Sequence, residues 1–235
     1  MARSRQAVVF ALLSGAALLG RSAHLYATEV SAHLAIDRAA SAKHKPNEIP
    51  SAVIWLKPLR DDPSRVVAPG RFTLVQKNKT FTPHLLVIPL GSSVAFPNTD
   101  PFFHNVFSLF DGRRFDLGLY EAGSTRSVVF SREGVSYIFC NIHSEMSAVV
   151  ITLTTPFYAI ASQGEFRITG VPDGDYDLHV WIEGQRQNAL DKQTRRIHVA
   201  GESVDLGEIL PDQPELEPHR NKFDRPYDVD THPIY

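Results

Sequence analysis

The sequence predicts an all-β protein built from β-sandwiches. Alternating or continuous apolar runs of strand length recur along most of the chain, and Gly and Pro residues separate them. The 235 residues, 43% hydrophobic and 21% charged, have the composition of an ordinary globular protein and can hold one large or two small domains. Many short strands separated by turn signals are typical of sandwiches.

The first 27 residues predict a cleaved secretory signal. A basic start with Arg3 and Arg5 precedes an apolar run from Ala7 to Gly20, and small residues lead to Ala27. An uncleaved anchor is the alternative, although the run is shorter than the ~20 residues of a spanning helix. Since no later segment is long and apolar enough to span a bilayer, we expect no integral membrane span after cleavage.

Charge and cysteine content restrict the function. Cleavage would remove three basic residues and no acidic one, which leaves 21 basic and 26 acidic side chains and a formal net charge of −5. This balance argues against a nucleic-acid partner. An exported chain normally has disulfides, yet Cys140 is its only cysteine. A lone thiol in an oxidising compartment is vulnerable unless it is buried or binds a metal.

The strands divide the chain into segments. Predicted strands in the middle are Ala52–Leu56, Phe72–Val75, Leu85–Leu90, Ser93–Phe96, Asn105–Leu109, Ser127–Phe130, Val135–Cys140 and Ala148–Leu153. We expect one β-sandwich domain over residues 66–155. Residues 211–235 lack periodicity and predict an extended tail, draped on the surface or disordered.

A second small β-sandwich is expected over residues 156–210. Phe166 and Ile168 occupy one side of a strand, Leu178 and Val180 one side of the next, and Pro172-Asp173-Gly174 makes the turn between the two. This block resembles the transthyretin-like sandwich of the carboxypeptidase regulatory-domain type. Residues 28–65 resemble its opening strands, which would make the 66–155 domain an insertion.

The chemistry is concentrated in one string, Cys140-Asn141-Ile142-His143-Ser144-Glu145-Met146, which follows an apolar strand. Given the cysteine, chance places His at +3 and Met at +6 in this composition about 4 times in 10,000. A thiolate, an imidazole and a thioether on one short loop are a soft ligand set that favours copper over magnesium, calcium or manganese.

A closed site needs a fourth ligand from elsewhere, and His104, at a loop-to-strand junction, is the best candidate. Two imidazoles and one thiolate would form a trigonal plane with Met146 as the long axial contact. His84 is the main rival to His104, and Glu145 is the alternative axial ligand. A core or a dry shell around the metal is the expected place of the apolar neighbours Phe102, Phe103, Phe107, Phe139 and Ile142.

These residues resemble the cupredoxin family, in its plastocyanin and amicyanin branch. The resemblance covers Phe72–Leu153, includes the order and short spacing of the ligands, and extends to Asn105 directly after the first histidine. It implies a Greek-key β-sandwich, a periplasmic setting and a dehydrogenase or cytochrome as redox partner. It also implies that Asn105 ties the two ligand loops together. The copper ligands that it implies, for one mononuclear Cu(I)/Cu(II) site, are His104, Cys140, His143 and Met146.

Three functions fit such a site. A carrier of single electrons is the first, since four ligands leave no obvious open coordination position. Copper binding for delivery or storage ranks below it, because such proteins usually use Met-rich or His-rich stretches and this chain has two methionines. A copper enzyme ranks last: multicopper oxidases and nitrite-reducing enzymes need further histidines, often in His-x-His pairs, and the sequence contains no such pair.

Overall fold

The structure is a computed structural model that describes residues 28–35, 50–60, 67–109, 112–211, 220–223 and 225–227. In these ranges nearly all regular structure is β, which confirms the predicted all-β class. The described helix has only five residues, and none in the described ranges could cross a bilayer. The predicted signal, residues 1–27, lies outside them.

The elements in chain order are β1 (Thr28–Leu34), β2 (Ala52–Pro58), β3 (Arg71–Thr73), β4 (Val75–Lys77), β5 (Thr80–Thr82), β6 (Leu85–Pro89), β7 (Ser93–Pro97), β8 (His104–Ser108), β9 (Phe115–Tyr120), β10 (Thr125–Val129), β11 (Gly134–Phe139), β12 (Ser147–Leu153), β13 (Tyr158–Ile160), β14 (Glu165–Val171), β15 (Gly174–Ile182), α1 (Gln187–Asp191), β16 (Arg195–Val199) and β17 (Val204–Ile209).

Strands from the middle of the chain form one sandwich, here the central sandwich. Its sheets have the orders β6-β12-β11-β8-β9 and β10-β7-β3. Alternate residues point between the sheets, among them Phe96, Val106, Ile138 and Val150, and they pack in one buried cluster. Cys140 and Met146 belong to the same cluster.

Strands from both ends of the described chain form a second sandwich, here the accessory sandwich. Its sheets have the orders β14-β1-β17 and β13-β2-β15-β16. Its core contains Leu34, Ile54, Phe166 and Leu178. Thus β1 and β2 pair with strands that follow β12, as expected for residues 28–65. The domain boundaries themselves stay a prediction.

The core of the accessory sandwich extends onto the outer face of the central sandwich. In β12, Ala148 and Val150 face the interior of the central sandwich, while Val149 and Ile151 pack with residues of the accessory sandwich. Burial on both faces explains why this strand is a continuous apolar run and not an alternating one. Polar contacts also join the sandwiches, among them those between Trp181 Nε1 and Tyr137 Oη at 3.1 Å, between Lys57 Nζ and Glu133 Oε2 at 2.7 Å and between His84 Nε2 and Glu183 Oε1 at 2.6 Å.

The predicted turn at Pro172-Asp173-Gly174 is present, but it is not the turn of a hairpin. The turn does join two strands, but β14 pairs with β1 whereas β15 pairs with β2 and β16, so the chain crosses from one sheet to the other. Phe166 and Leu178 therefore pack together in the core between the two sheets. The alternation of buried residues is the same for strands that pair side by side and for strands that face each other, which is why the sequence pattern did not distinguish them.

Candidate metal centre

A tight loop after β11 brings Cys140, His143 and Met146 together. The Cys140 N–H donates to the Met146 carbonyl at 3.2 Å, and the Met146 N–H donates to the His143 carbonyl at 3.1 Å. These bonds close the loop at the point where the chain turns into β12. The Cys140 and Met146 side chains are fully buried in the core of the central sandwich, while His143 remains half-buried.

The fold adds His104 to this loop, although 36 residues separate it from Cys140. His104 begins β8, and β8 lies beside β11 in the same sheet. The His104 Nδ1 and the His143 Nδ1 each lie 3.7 Å from the Cys140 Sγ. Across the described residues, these three are the group whose ligand atoms could hold a metal, all within 4.8 Å of one another.

The spacing of these donor atoms fits a metal ion. With bond lengths of about 2.0 Å to imidazole nitrogen and 2.3 Å to thiolate sulfur, as in zinc sites, angles between tetrahedral and trigonal separate nitrogen from sulfur by about 3.5–3.7 Å. The observed 3.7 Å for both histidines lies within this range. Thiolate and imidazole are also the donors that copper accepts.

Asp100 orients the His104 ring, and sequence reasoning missed it. Its Oδ2 lies 2.8 Å from the His104 Nε2, and both side chains are buried. Since a carboxylate only accepts, the neutral imidazole donates from Nε2 and keeps the lone pair of Nδ1 directed at Cys140. The sequence signal was an aspartate four residues before a candidate ligand histidine, but only the loop conformation makes that spacing a hydrogen bond.

The backbone of the β4–β5 turn holds the Asp100 carboxylate in place. The N–H groups of Asn78 and Lys79 donate to it at 2.6 and 2.9 Å. Burial disfavours ionisation of Asp100, but these bonds and the one from His104 outweigh it and hold its pKa below the usual value. Burial also lowers the pKa of His104 more than Asp100 raises it, so this ring is neutral at neutral pH, as a ligand must be.

His143 is the more exposed of the two imidazoles. Burial, followed by the influence of His104 and Lys79, lowers its pKa to about 4. The ring is therefore neutral near neutral pH, with a proton on one nitrogen and a free lone pair on the other. Its ring centroid lies 4.9 Å from that of His104 and 5.6 Å from that of Phe102. Phe102 also packs on His104, at 5.2 Å, and so covers both rings.

The structure separates the expected ligands from their rivals. Met146 is fully buried beside Cys140 in the core, whereas Glu145 is exposed. His84 uses both ring nitrogens elsewhere, with Nδ1 3.1 Å from the Ser147 carbonyl and Nε2 2.6 Å from Glu183. It is not in the cluster.

Asn105 does not take the role that the resemblance implies. Its Nδ2 donates to Asp116 Oδ1 in β9 at 2.7 Å, and its buried Oδ1 has no hydrogen-bond partner among the described residues. Of the apolar neighbours, Phe107 and Phe139 are buried, Ile142 is partly buried against the core that holds Cys140, and Phe103 is 38% exposed. The dry shell is therefore only partly formed by the residues expected there.

The fold and the cluster define a class of protein, a double β-sandwich with a His-Cys-His group in which His104 and Cys140 are buried and His143 is half-buried. No protein-family model matches the chain, and a search of curated proteins found no match. Structures of copper proteins resemble parts of it.

The copper-containing nitrite reductase of Thermus scotoductus SA-01 is 23% identical with a TM-score of 0.35, over 40% of this chain and 27% of that one. A purple cupredoxin from Nitrosopumilus maritimus is 24% identical with a TM-score of 0.32, over 34% of this chain and 98% of that one. A reduced amicyanin variant is 19% identical with a TM-score of 0.34, over 37% and 86%.

Proposed function

We propose that this protein binds one copper ion through His104, Cys140, His143 and Met146 and carries single electrons between partner proteins. The proposal places it among the type 1, or blue, copper proteins of the cupredoxin family that the sequence resembles. It includes export to the periplasm or secretion, a dehydrogenase or cytochrome as redox partner, and no enzymatic activity.

One observation carries the proposal. Two neutral imidazoles direct Nδ1 at the same buried thiol from the same distance of 3.7 Å, and the one methionine of the described chain is buried in the same core cluster as that thiol. Polar groups in a core are normally placed to satisfy each other or an ion. Thiolate, two imidazoles and a thioether form the donor set of blue copper sites.

Each residue has a distinct task in this proposal. Bound copper would supply the one-electron couple, with Cu(I) preferring the sulfurs and Cu(II) the imidazoles. Asp100 keeps His104 in the tautomer and orientation that a metal requires. The half-buried His143 would be the route by which an electron leaves, since the other ligands are enclosed.

Copper titration tests the site. Addition of Cu(II) to the purified protein should give an intense visible thiolate-to-copper band that saturates at one ion per chain. Cys140→Ser and His104→Ala should abolish the band, and His198→Ala should leave it unchanged because His198 is exposed and pairs with Asp175 on the accessory sandwich. Failure of the parent protein to develop the band, or its survival in Cys140→Ser, would end the proposal.

Electrochemistry distinguishes an electron carrier from a copper-delivery protein. A carrier should give a reversible one-electron wave and should retain copper in the presence of an apo-acceptor. Rapid transfer of copper to that acceptor without a reversible wave would favour delivery instead. The redox partner itself can be sought by co-purification with the copper-loaded protein.

A further inference from the structure

A C-terminal segment, residues 220–223 and 225–227, lies against the proposed ligand loop, and we call it the strap. The Tyr227 hydroxyl donates to the Cys140 carbonyl at 2.7 Å. The Lys222 N–H donates to Asn141 Oδ1 at 3.0 Å. Both acceptors belong to the first two residues of the loop. The strap is therefore attached where the chain leaves β11 and turns towards His143.

The same strap reaches the segment that carries His104. Lys222 Nζ lies 2.8 Å from Asp116 Oδ2, and the other oxygen of that carboxylate accepts the bond from Asn105, the residue after His104. Burial disfavours the charge on Asp116, but the bonds from Lys222 and Asn105 outweigh it and keep its pKa below the usual value. A continuous chain of polar contacts therefore runs from Asn105 through Asp116 and Lys222 to Asn141.

The strap is itself an ordered turn. The Asn221 N–H donates to the Arg225 carbonyl at 2.9 Å, and Asn221 Oδ1 accepts from the N–H groups of Phe223 and Arg225. Lys222 Nζ also lies 5.3 Å from the centre of the Phe223 ring. These contacts fix Lys222 between Asn141 and Asp116. Lys222 therefore loses little further conformational entropy when it binds both residues.

We infer that the strap is a positioning element that links the two ligand-bearing segments, with Lys222 and Tyr227 as its attachment points. The inference rests on the proposed function in that it takes His104, Cys140 and His143 as metal ligands. The link between the two segments is present in the chain without metal. Lys222 supplies the connection between the loops that the resemblance assigned to the residue after the first histidine. Residues that orient metal ligands typically contribute about 10- to 100-fold in metal affinity. We expect the loss of the two strap attachments to lower copper affinity by a similar factor.

The double variant Lys222→Met/Tyr227→Phe tests the inference in the full chain. Both changes preserve the size of the side chains and remove only the ammonium and the hydroxyl group. The matched control is Lys192→Met/Tyr158→Phe, which removes the same two groups from exposed or half-exposed residues of the accessory sandwich. Two measurements are made, amide hydrogen exchange of residues 140–147 in the metal-free protein and the rate of copper release to a chelator.

We expect the double variant to exchange these amides about tenfold faster than the control and to release copper about tenfold faster. Exchange equal to that of the control would overturn the inference. Faster exchange with unchanged copper release would also overturn it, because the strap would then not hold the ligands. A parent protein that binds no copper would overturn the proposed function, and hydrogen exchange would still decide whether the strap fastens the two segments.

Discussion

Replacement of Asp100 by Asn should destabilise the metal-free protein and weaken copper binding. Oδ1 accepts one backbone N–H, while Oδ2 accepts a second backbone N–H and the His104 Nε2–H. An amide keeps one acceptor oxygen and presents two donors to the groups on the other side. When the amide oxygen takes the place of Oδ2, the bond from the Asn78 N–H is lost and the other two bonds are no longer made to a charge. A bond to a charged group contributes about 1.5–3 kcal/mol, so we expect the free energy of unfolding to fall by about 1.5 kcal/mol or more.

Urea unfolding of the metal-free protein measures the first effect, and chelator competition measures the second. Copper affinity should fall about 10- to 100-fold because a neutral amide fixes the tautomer and orientation of His104 less firmly than the carboxylate does. Asp177→Asn is the control, since it removes a carboxylate from an exposed pair with Arg196 at 3.4 Å that is worth about 0–1 kcal/mol. A loss of stability no larger than in this control, with copper affinity within about threefold of the parent, would show that Asp100 does not orient His104.

Three further predictions concern the core, the pH dependence and the contact between sandwiches. Met146→Ala should cost about 2–5 kcal/mol in unfolding free energy and Met146→Leu less than about 1.5, whereas both should shift the visible copper band, so a band unchanged in Met146→Leu would remove the thioether from the site. Glu183 raises the pKa of His84, and the His84 hydrogen bond lowers the pKa of Glu183. The stability that this pair contributes should be complete between about pH 4.5 and pH 6.5. It should fall at higher pH as His84 deprotonates and at lower pH as Glu183 protonates. A pH series of unfolding midpoints measures this, and a Glu183→Gln variant with the same profile as the parent would contradict it. Trp181→Phe removes the hydrogen bond to Tyr137 and should lower the free energy of unfolding, measured in urea, by about 1 kcal/mol or more. In the double variant, Tyr137→Phe should lower it by less than it does alone, and losses that simply add would show that the two side chains are not coupled.

The local part of the candidate site could be predicted from the sequence because the proposed ligands share one short loop. Cys140, His143 and Met146 lie within seven residues, and their spacing is improbable by chance. The distant His104 was found from its context before a strand, and the fold brings it to the cluster. Asp100 was missed because an aspartate before a histidine is common, and only a bent loop turns this spacing into a hydrogen bond.

Strand prediction succeeded where burial is continuous or strictly alternating. β6, β7, β11 and β12 lie within a residue or so of their predicted limits. In contrast, β9 was not predicted, and its mixed pattern of exposed and half-buried residues, interrupted by Gly118 with a φ of 67°, explains why. Pairing was less accessible than strand position, as the β14–β15 turn shows, because the partner of a strand depends on contacts between distant segments.

The strand that leads to Cys140 is held in place by residues from outside the central sandwich as well as by its neighbouring strands. Tyr137, three residues before Cys140, accepts a hydrogen bond from Trp181 of the accessory sandwich, and β11 pairs with β12 and β8 on its two edges. Tyr227 then holds the Cys140 carbonyl from outside. A proposed electron carrier benefits from such restraint because a metal whose ligands cannot relax changes charge with little rearrangement. The accessory sandwich would thus contribute rigidity to the proposed copper site through its packing, without binding a ligand of its own.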